Sequence, residues 1–245
     1  MVFTLLCIIV TMILGGRFAK TEKSRNIFLL VFAWSTVIIH YSRLWVDYFQ
    51  TGTAEVLSTM LLPVFPCNIA MWLLLICALW KNRQHQVWQM IAEFTFYLGI
   101  VGGIVGIMFN EVYASNPNLG DWHVLSGLLS HTTLICGCLW LLIGRYIKIR
   151  VRNTCSVFLG MLFLLLDGGI VIGLHKLARL SSPNCMYLLE LPFPDLPWIN
   201  TATIGVVAVL LAFIITAIYE QIALQPTERW YTKLKVKLTK KTKEQ

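Results

Sequence analysis

The chain alternates between long apolar runs and short polar connections, and this pattern predicts membrane-spanning helices. Most of the runs approach the roughly 20 residues that a helix needs to cross a bilayer. The sequence therefore predicts an all-α, polytopic membrane helix bundle with seven transmembrane helices. The predicted spans are residues 2–16, 26–46, 59–80, 88–109, 124–146, 155–174 and 201–221.

The composition agrees with a membrane bundle. The 245 residues are 57% hydrophobic and only 13% charged, with a mean hydropathy of +0.71, whereas soluble domains are about 25% charged. We expect one membrane domain over residues 1–225 and a basic cytoplasmic tail over 226–245. The first run, Met1 to Gly16, lacks a basic segment ahead of it, so we interpret it as a span rather than a removable signal peptide.

The basic residues predict the orientation. Of the 20 Lys and Arg residues, 17 lie in alternate connections or in the tail, which would all be on one side of the membrane. The exceptions are Arg43, Lys176 and Arg179. By the positive-inside rule, the N-terminus lies outside and the C-terminus in the cytoplasm. The net charge of +8 then reflects membrane topology, and no nucleic-acid partner is expected.

Membrane lipids are the expected partners. The tail from Lys233 to Lys243 carries enough charge to hold anionic lipid headgroups, although a plain positive-inside anchor is the favoured interpretation. In the fourth span, Gly99/Gly103 and Gly102/Gly106 form two GxxxG pairs. These pairs predict close helix packing inside the bundle, with a homo-oligomer as the alternative.

The third span contains the most unusual stretch, Leu62 to Trp72. Pro63 and Pro66 precede Cys67 and Asn68. Two prolines inside a membrane helix would free backbone carbonyls one turn back, which lipid cannot satisfy. The stretch is explained either by a proline kink with a small apolar Cys or by a packed or water-lined polar interior.

Polar side chains inside the spans favour a polar interior. By the 1.5 Å rise per helical residue, Cys67 lies roughly 12 Å from the outer membrane boundary, and His131, His40 and Asp167 lie roughly 9–10 Å from it. Glu93 lies instead near the inner end of its span. Four groups on four helices at one depth predict a polar cavity in the outer half of the bilayer.

A thiol and imidazoles in such a cavity could perform acyl transfer. Cys67 would attack an ester after His131 removes its proton, and Asp167 would orient the imidazole. Asn68 or a backbone amide near Pro66 would stabilise the oxyanion. The seven cysteines form no CxxC or Cys/His zinc spacing, so no metal and no cofactor is predicted.

Several motifs support this assignment by resemblance. The segment Leu62 to Asn68, the glycine-rich fourth span, Leu129-Ser130-His131, and Asn184 to Leu189 followed by Pro192 resemble the YwaF / transmembrane protein 164 family of integral membrane proteins. The resemblance covers nearly the whole chain. It implies a membrane acyltransferase similar to those that move fatty acyl groups onto ether lysophospholipids through a Cys and a His.

The resemblance also implies roles for individual residues. By resemblance, Cys67 would be the acyl acceptor and His131 the base. The polar residues themselves predict that His40, Asn68 and Asp167 form a supporting polar cluster. Asn184 and Tyr187 would belong to a substrate loop within the outer connection 176–200, which we expect to cover the outer face or re-enter it.

The chain departs from the family pattern at two positions. Phe65 stands where bacterial members commonly carry a His, and Cys185 replaces a Tyr in the loop block. If the missing His assists catalysis, the chain would be altered or inactive, unless His40 substitutes for it. The short loops and the resemblance predict a multi-pass protein of the cell membrane, with a bacterial plasma membrane as the expected location.

Other functions stay open at this point. A lipid hydrolase would use the same Cys and His with water as acceptor. A small-molecule transporter or permease could move protons through His40, His131 and Asp167, although only the third span is clearly broken. A non-enzymatic membrane scaffold or sensor is the third alternative.

Overall fold

The computed structural model describes residues 2–52, 61–108, 118–191 and 194–232. These residues form seven α-helices, which we number in chain order. They are α1 (Val2–Phe18), α2 (Glu22–Thr51), α3 (Pro66–Leu79), α4 (Gln86–Met108), α5 (Trp122–Ile143), α6 (Thr154–Leu177) and α7 (Thr201–Ala223). Short 3-10 helices lie at Val151–Asn153, Cys185–Tyr187 and Pro226–Glu228.

The helices begin and end at residues that satisfy the free backbone groups of helix ends. Thr21 caps α2 in a capping box with Ser24, and α2 stops at Gly52, whose φ of 64° is left-handed. Asp121 caps α5 by accepting from the N–H of His123 at 2.8 Å. Asn200 caps α7 in the same way. The turn signals between the apolar runs therefore set the helix boundaries.

The all-α prediction is confirmed, and each of the seven helices falls on a predicted span. Five are long and apolar enough to cross a membrane, namely Glu22–Val46 within α2 and the whole of α4, α5, α6 and α7. The apolar helices Thr4–Phe18 and Pro66–Leu79 are shorter. The exact count of seven crossings and the orientation therefore stay predictions. The predicted connection 51–58, most of 110–123 and the tail from Lys233 lie outside the described residues.

The interpretation of Pro63 and Pro66 as kinks inside one long helix is wrong. Helix α3 begins at Pro66, and Phe65 before it is extended, with φ −120° and ψ 158°. Proline is well suited to the first position of a helix, and it disfavours helical backbone in the residue that precedes it. The prolines therefore start α3 at this point, which leaves Cys67 in its first turn.

Helix α5 is the central element of the bundle. It contacts α1, α2, α3 and α4, and it is the most buried of the five long apolar helices. Trp140 fills the space beside Gly15 and stacks on Phe28, with ring centroids 5.1 Å apart. Its indole N–H donates to the carbonyl of Arg25 at 3.0 Å. Helix α6 packs against α4, and α7 packs against α6.

The surface of the bundle is apolar, which is expected of a protein in lipid. Exposed side chains of α6 include Leu162, Phe163, Leu166 and Ile170, and only 11% of the most apolar segment of α7 is buried. Soluble monomers rarely expose contiguous apolar patches of this kind. The chain is a multi-pass integral membrane protein.

Two buried carboxylates tie the helices together at the end of the bundle opposite Cys67. Glu93 on α4 accepts from the side-chain amide of Asn153 at 2.5 Å and from the hydroxyl of Ser156 at 3.4 Å. Glu220 on α7 accepts from the N–H groups of Val151 and Trp230, each at 2.8 Å. Because buried charges are costly unless they are hydrogen-bonded, these contacts fix α4 and α7 to the connection before α6.

Close helix packing predicts the effect of a glycine substitution. A methyl group on Gly160 would overlap the ring of Phe94, where α6 meets α4, whereas one on Gly169 of the same helix meets nothing within 4 Å. We expect Gly160→Ala to destabilise the bundle by about 1–3 kcal/mol through overpacking. Thermal unfolding in detergent should show a lower midpoint for Gly160→Ala. The Gly169→Ala control should unfold at or above the wild-type midpoint, and equal midpoints for the two variants would contradict this packing.

Candidate functional site

Cys67 lies where the first turn of α3 meets α4. A methyl group on Gly102 would lie 3.5 Å from the Cys67 nitrogen and 3.7 Å from its Cβ, so any larger side chain at position 102 would crowd the cysteine. Cys67 is a free thiol and is only partly buried. First-turn N–H groups have no acceptor within their own helix. The thiol therefore lies beside the backbone N–H groups of the first turn of α3.

His131 on α5 meets the same face of α4 one turn further along. A methyl group on Gly106 would overlap Nε2 of the His131 ring. Gly102 and Gly106 are four residues apart, so they are neighbours on one helix face. Cys67 and His131 are therefore brought to successive turns of one glycine face, and the absence of side chains on this face is what makes room for them.

The protonation of His131 follows from its hydrogen bond. Nδ1 lies 2.7 Å from the carbonyl oxygen of Gly127, one turn back on α5. A carbonyl only accepts, so Nδ1 must carry the proton and donate it. Nε2, which faces Gly106, then holds a free lone pair in the neutral ring. This is the tautomer that a general base needs.

His40 and Asn68 join the site from α2 and α3. The side-chain amide of Asn68 donates to Nε2 of His40 at 3.1 Å. The carbonyl oxygen of the same side chain accepts from the N–H of Phe65 at 3.0 Å. His131 and Arg43 are close enough to His40 to interact with it electrostatically. Asn68 therefore ties the start of α3 to α2, and four of the five candidate polar residues lie in one region.

An aromatic pair lies beside this region. Phe65, which is 41% exposed, packs against Tyr187 with ring centroids 6.1 Å apart. The loop that carries Tyr187 is bonded to the chain before α3, since the N–H of Met186 donates to the carbonyl of Val64 at 3.1 Å. The predicted substrate loop therefore closes over the start of α3, two residues from Cys67. The bond also satisfies a carbonyl that extended backbone leaves free.

One protein family matches most of the chain. The model of the TMEM164 family matches residues 1–219. The chain belongs to the TMEM164 family. Searches of curated proteins and of solved structures found no match. The match covers α1 to α6 and most of α7, and it includes the residues of the candidate site.

Asp167 is placed differently from the other candidates. Among the described residues it makes no hydrogen bond with either histidine, and its buried Oδ2 has no hydrogen-bond partner. It lies on α6, where Val171 and Ile172 pack against Val64 and Cys185. At His131 the carbonyl of Gly127 occupies the position of an orienting acid. The role of Asp167 as that acid therefore stays a prediction.

The roles of two residues are visible only in the structure. Gly106 stood out in the sequence only as part of a packing motif, yet it faces the imidazole of His131. Gly127 supplies the carbonyl that fixes the tautomer. Its position four residues before a helical histidine was the available signal. The described residues include no group of three His, Cys, Asp or Glu side chains arranged to hold a metal ion.

Asn184 organises the loop that carries Tyr187. Its side-chain oxygen accepts from the N–H groups of Leu189 and Glu190, each at 3.1 Å, and its amide donates to the carbonyl of Glu190 at 3.0 Å. Thr201 at the start of α7 donates to the Tyr187 carbonyl at 2.8 Å. The side-chain oxygen and nitrogen of Asn184 therefore both bond within the loop, which favours a structural role for this residue.

Removing that side chain should loosen the loop. We expect Asn184→Ala to speed hydrogen–deuterium exchange at the amides of Leu189 and Glu190 roughly fivefold or more, because each loses its acceptor. Ser181→Ala, an exposed change in the same connection, is the control and should leave both amides unchanged. Unaltered exchange in Asn184→Ala would show that other contacts hold the loop.

Proposed function

We propose that the chain is a membrane acyltransferase in which Cys67 accepts a fatty acyl group from a phospholipid ester and His131 transfers the proton. One observation carries the proposal: the glycine face of α4 holds Cys67 at Gly102 and His131 at Gly106. Gly102 and Gly106 are one helical turn apart, so Cys67 and His131 meet α4 on successive turns, about 5 Å apart along its axis. A nucleophile next to an oriented base is the arrangement that covalent acyl transfer requires.

The first half of the reaction forms a thioester. Nε2 of His131 takes the thiol proton while Sγ of Cys67 attacks the ester carbonyl carbon. The ester C–O bond then breaks, and the imidazolium returns the proton to the departing oxygen. A lysophospholipid leaves, and the acyl group stays on Cys67.

The second half reverses the proton path. The hydroxyl of an acceptor lysophospholipid gives its proton to Nε2, and its oxygen attacks the thioester carbon. The C–S bond breaks, and Sγ recovers the proton. Ether lysophospholipids are the acceptors that the family resemblance implies. Water in the same position would hydrolyse the thioester, so exclusion of water decides between transfer and hydrolysis.

The first turn of α3 is suited to stabilise the tetrahedral intermediate. Pro66 has no N–H, and the N–H groups of Asn68 and Ile69 donate to the carbonyl of Phe65, which leaves the N–H of Cys67 for an oxyanion. The N-terminal end of a helix also carries partial positive charge. Both features favour an oxyanion. Asn68 is engaged with Phe65 and His40, so the geometry favours a positioning role for its side chain. His40 is the residue placed to support His131 in a chain that has Phe65 at the position of the family His.

The geometry offers less support for proton-coupled transport. That function would need His40, His131 and Asp167 in one continuous chain of groups. Among the described residues, Asp167 forms no hydrogen bond with either histidine. The observations at the glycine face therefore favour acyl transfer over a transporter or a scaffold.

Covalent labelling tests the proposed nucleophile. The purified protein in lipid nanodiscs is treated with an acyl-thioester probe, and labelling of wild type is compared with that of three variants. We expect Cys67→Ala to abolish labelling and His131→Ala to slow it at least about a hundredfold, the usual contribution of a general base. Cys155→Ala removes an exposed cysteine of α6 and should label like wild type. Labelling that persists in a folded Cys67→Ala protein would overturn the proposal.

Substitution of Gly106 tests the geometry without removing a reactive group. We expect Gly106→Ala to displace the imidazole of His131 and to slow acyl transfer at least about tenfold, since small misplacements of catalytic groups are costly. A methyl group on Gly173 of α6 meets nothing within 4 Å, so Gly173→Ala is the matched control and should retain the wild-type rate. Equal rates in the two variants, with intact folding, would separate Gly106 from the reaction.

A further inference from the structure

A polar cavity of about 940 Å³ lies at the end of the bundle opposite Cys67. The start of α4, the connection 144–153 and the start of α6 enclose it. Its lining includes Gln86, Gln89, Arg145, Lys148, Arg150 and Asn153. Ligand sites commonly measure 300–1,000 Å³, so the cavity has room for a small molecule or a lipid headgroup. The acyl-transfer proposal does not use it.

The cavity is cationic, and part of its charge is unpaired. The side chains of Arg145 and Lys148 are exposed and form no hydrogen bond or ion pair among the described residues. Arg150 is held loosely, with Nη2 3.9 Å from Glu228, and its buried Nη1 has no hydrogen-bond partner. The acid that lines the cavity, Glu93, bonds to Asn153 and Ser156. Three cations against the engaged Glu93 and the loosely paired Glu228 leave an excess of positive charge.

The donor set fits a phosphate group. Arginine guanidinium groups bind phosphate oxygens in a bidentate manner, and a lysine ammonium adds a compact charge with three donors. The amides of Gln84 and Gln86 at the rim of the cavity add neutral donors. An anion with several oxygens and one or two charges can contact these groups together, whereas a single carboxylate offers only two oxygens.

The backbone of Arg145 gives a second reason to assign a role to this side chain. Its φ of 62° is left-handed, a conformation that glycine adopts without strain and other residues seldom adopt. The N–H groups of Arg145 and Tyr146 close the end of α5 by donating to Leu142 and Leu141, each at 3.0 Å. Glycine would serve this turn better. An arginine at this strained position favours a role for its guanidinium group, beyond the positive charge that the topology of the connection requires.

We propose that this cavity binds the phosphate group of an anionic ligand through Arg145, Lys148 and Arg150. The ligand is either the headgroup of an anionic phospholipid or a soluble phosphate compound. Gln89 and Gly106 are 17 residues apart on α4, which corresponds to about 25 Å along the helix. The phosphate site is therefore separate from the Cys67 region, and the two can be tested independently.

The experiment compares two phosphate sources. In one arm, native mass spectrometry measures phosphatidylglycerol retained by the purified protein from mixed micelles with phosphatidylcholine. In the other arm, calorimetry measures pyrophosphate binding to the protein in phosphatidylcholine nanodiscs. We expect saturable binding in at least one arm, weakened about fivefold or more by Arg145→Gly and by Lys148→Ala. Binding of phosphatidylglycerol alone would identify a lipid headgroup, and binding of pyrophosphate would identify a soluble ligand.

Loss of binding in Arg145→Gly cannot be attributed to unfolding. The substitution relieves the left-handed strain, so it should preserve or raise the unfolding midpoint. Lys81→Ala removes an exposed lysine outside the cavity and is the charge control. Cys67→Ala should bind like wild type, so failure of the acyl-transfer proposal would leave this result intact. Absence of binding in both arms, or equal losses in Lys81→Ala and Lys148→Ala, would overturn the phosphate site.

Discussion

The contact of α4 with α3 and α5 through bare glycine backbone is the constraint on which the candidate site depends. Gly99 and Gly103 admit Cys138 and Ile135 of α5, while Gly102 admits the start of α3. Within lipid, helices associate through van der Waals contact rather than through the hydrophobic effect, so small residues at the contact determine how close the backbones come. The same face that holds the bundle together therefore also sets the separation of the thiol and the imidazole.

Two histidines of the bundle are bonded within their own helices. His131 and His175 each bond through Nδ1 to the carbonyl four residues back on their own helix, so this bond alone does not mark a catalytic histidine. What distinguishes His131 is the glycine opposite Nε2. His175 is almost fully buried, whereas His131 lies in the same region as a partly buried cysteine. Whether such a histidine can act as a base therefore depends on what its second ring nitrogen faces.

The sequence predicted the class of the protein and most of its helices, because a helix in a lipid bilayer needs an apolar surface and this requirement is visible in the hydropathy. It also singled out Cys67, His131, His40 and Asn68, since polar atoms at membrane depth are costly. The depth of a residue in the membrane does not show which neighbouring helix its side chain faces. Asp167 shares that depth but lies on the side of Cys185 and Val171. The interpretation of Pro63 and Pro66 as kinks was wrong for a similar reason. Hydropathy shows an apolar run but does not show where the helix within it begins.

Access to Cys67 follows from how the neighbouring loop is tied down. The loop that carries Tyr187 bonds to Val64 through Met186 and to Thr201 at the start of α7, and Tyr187 packs against Phe65. These contacts hold the loop at the start of α3. Helix α7 is the least buried of the long apolar helices and contacts mainly α6. Under the acyl-transfer proposal, a substrate with acyl chains would approach laterally from the lipid, which would keep its ester near the headgroup boundary and limit the water that could intercept a thioester.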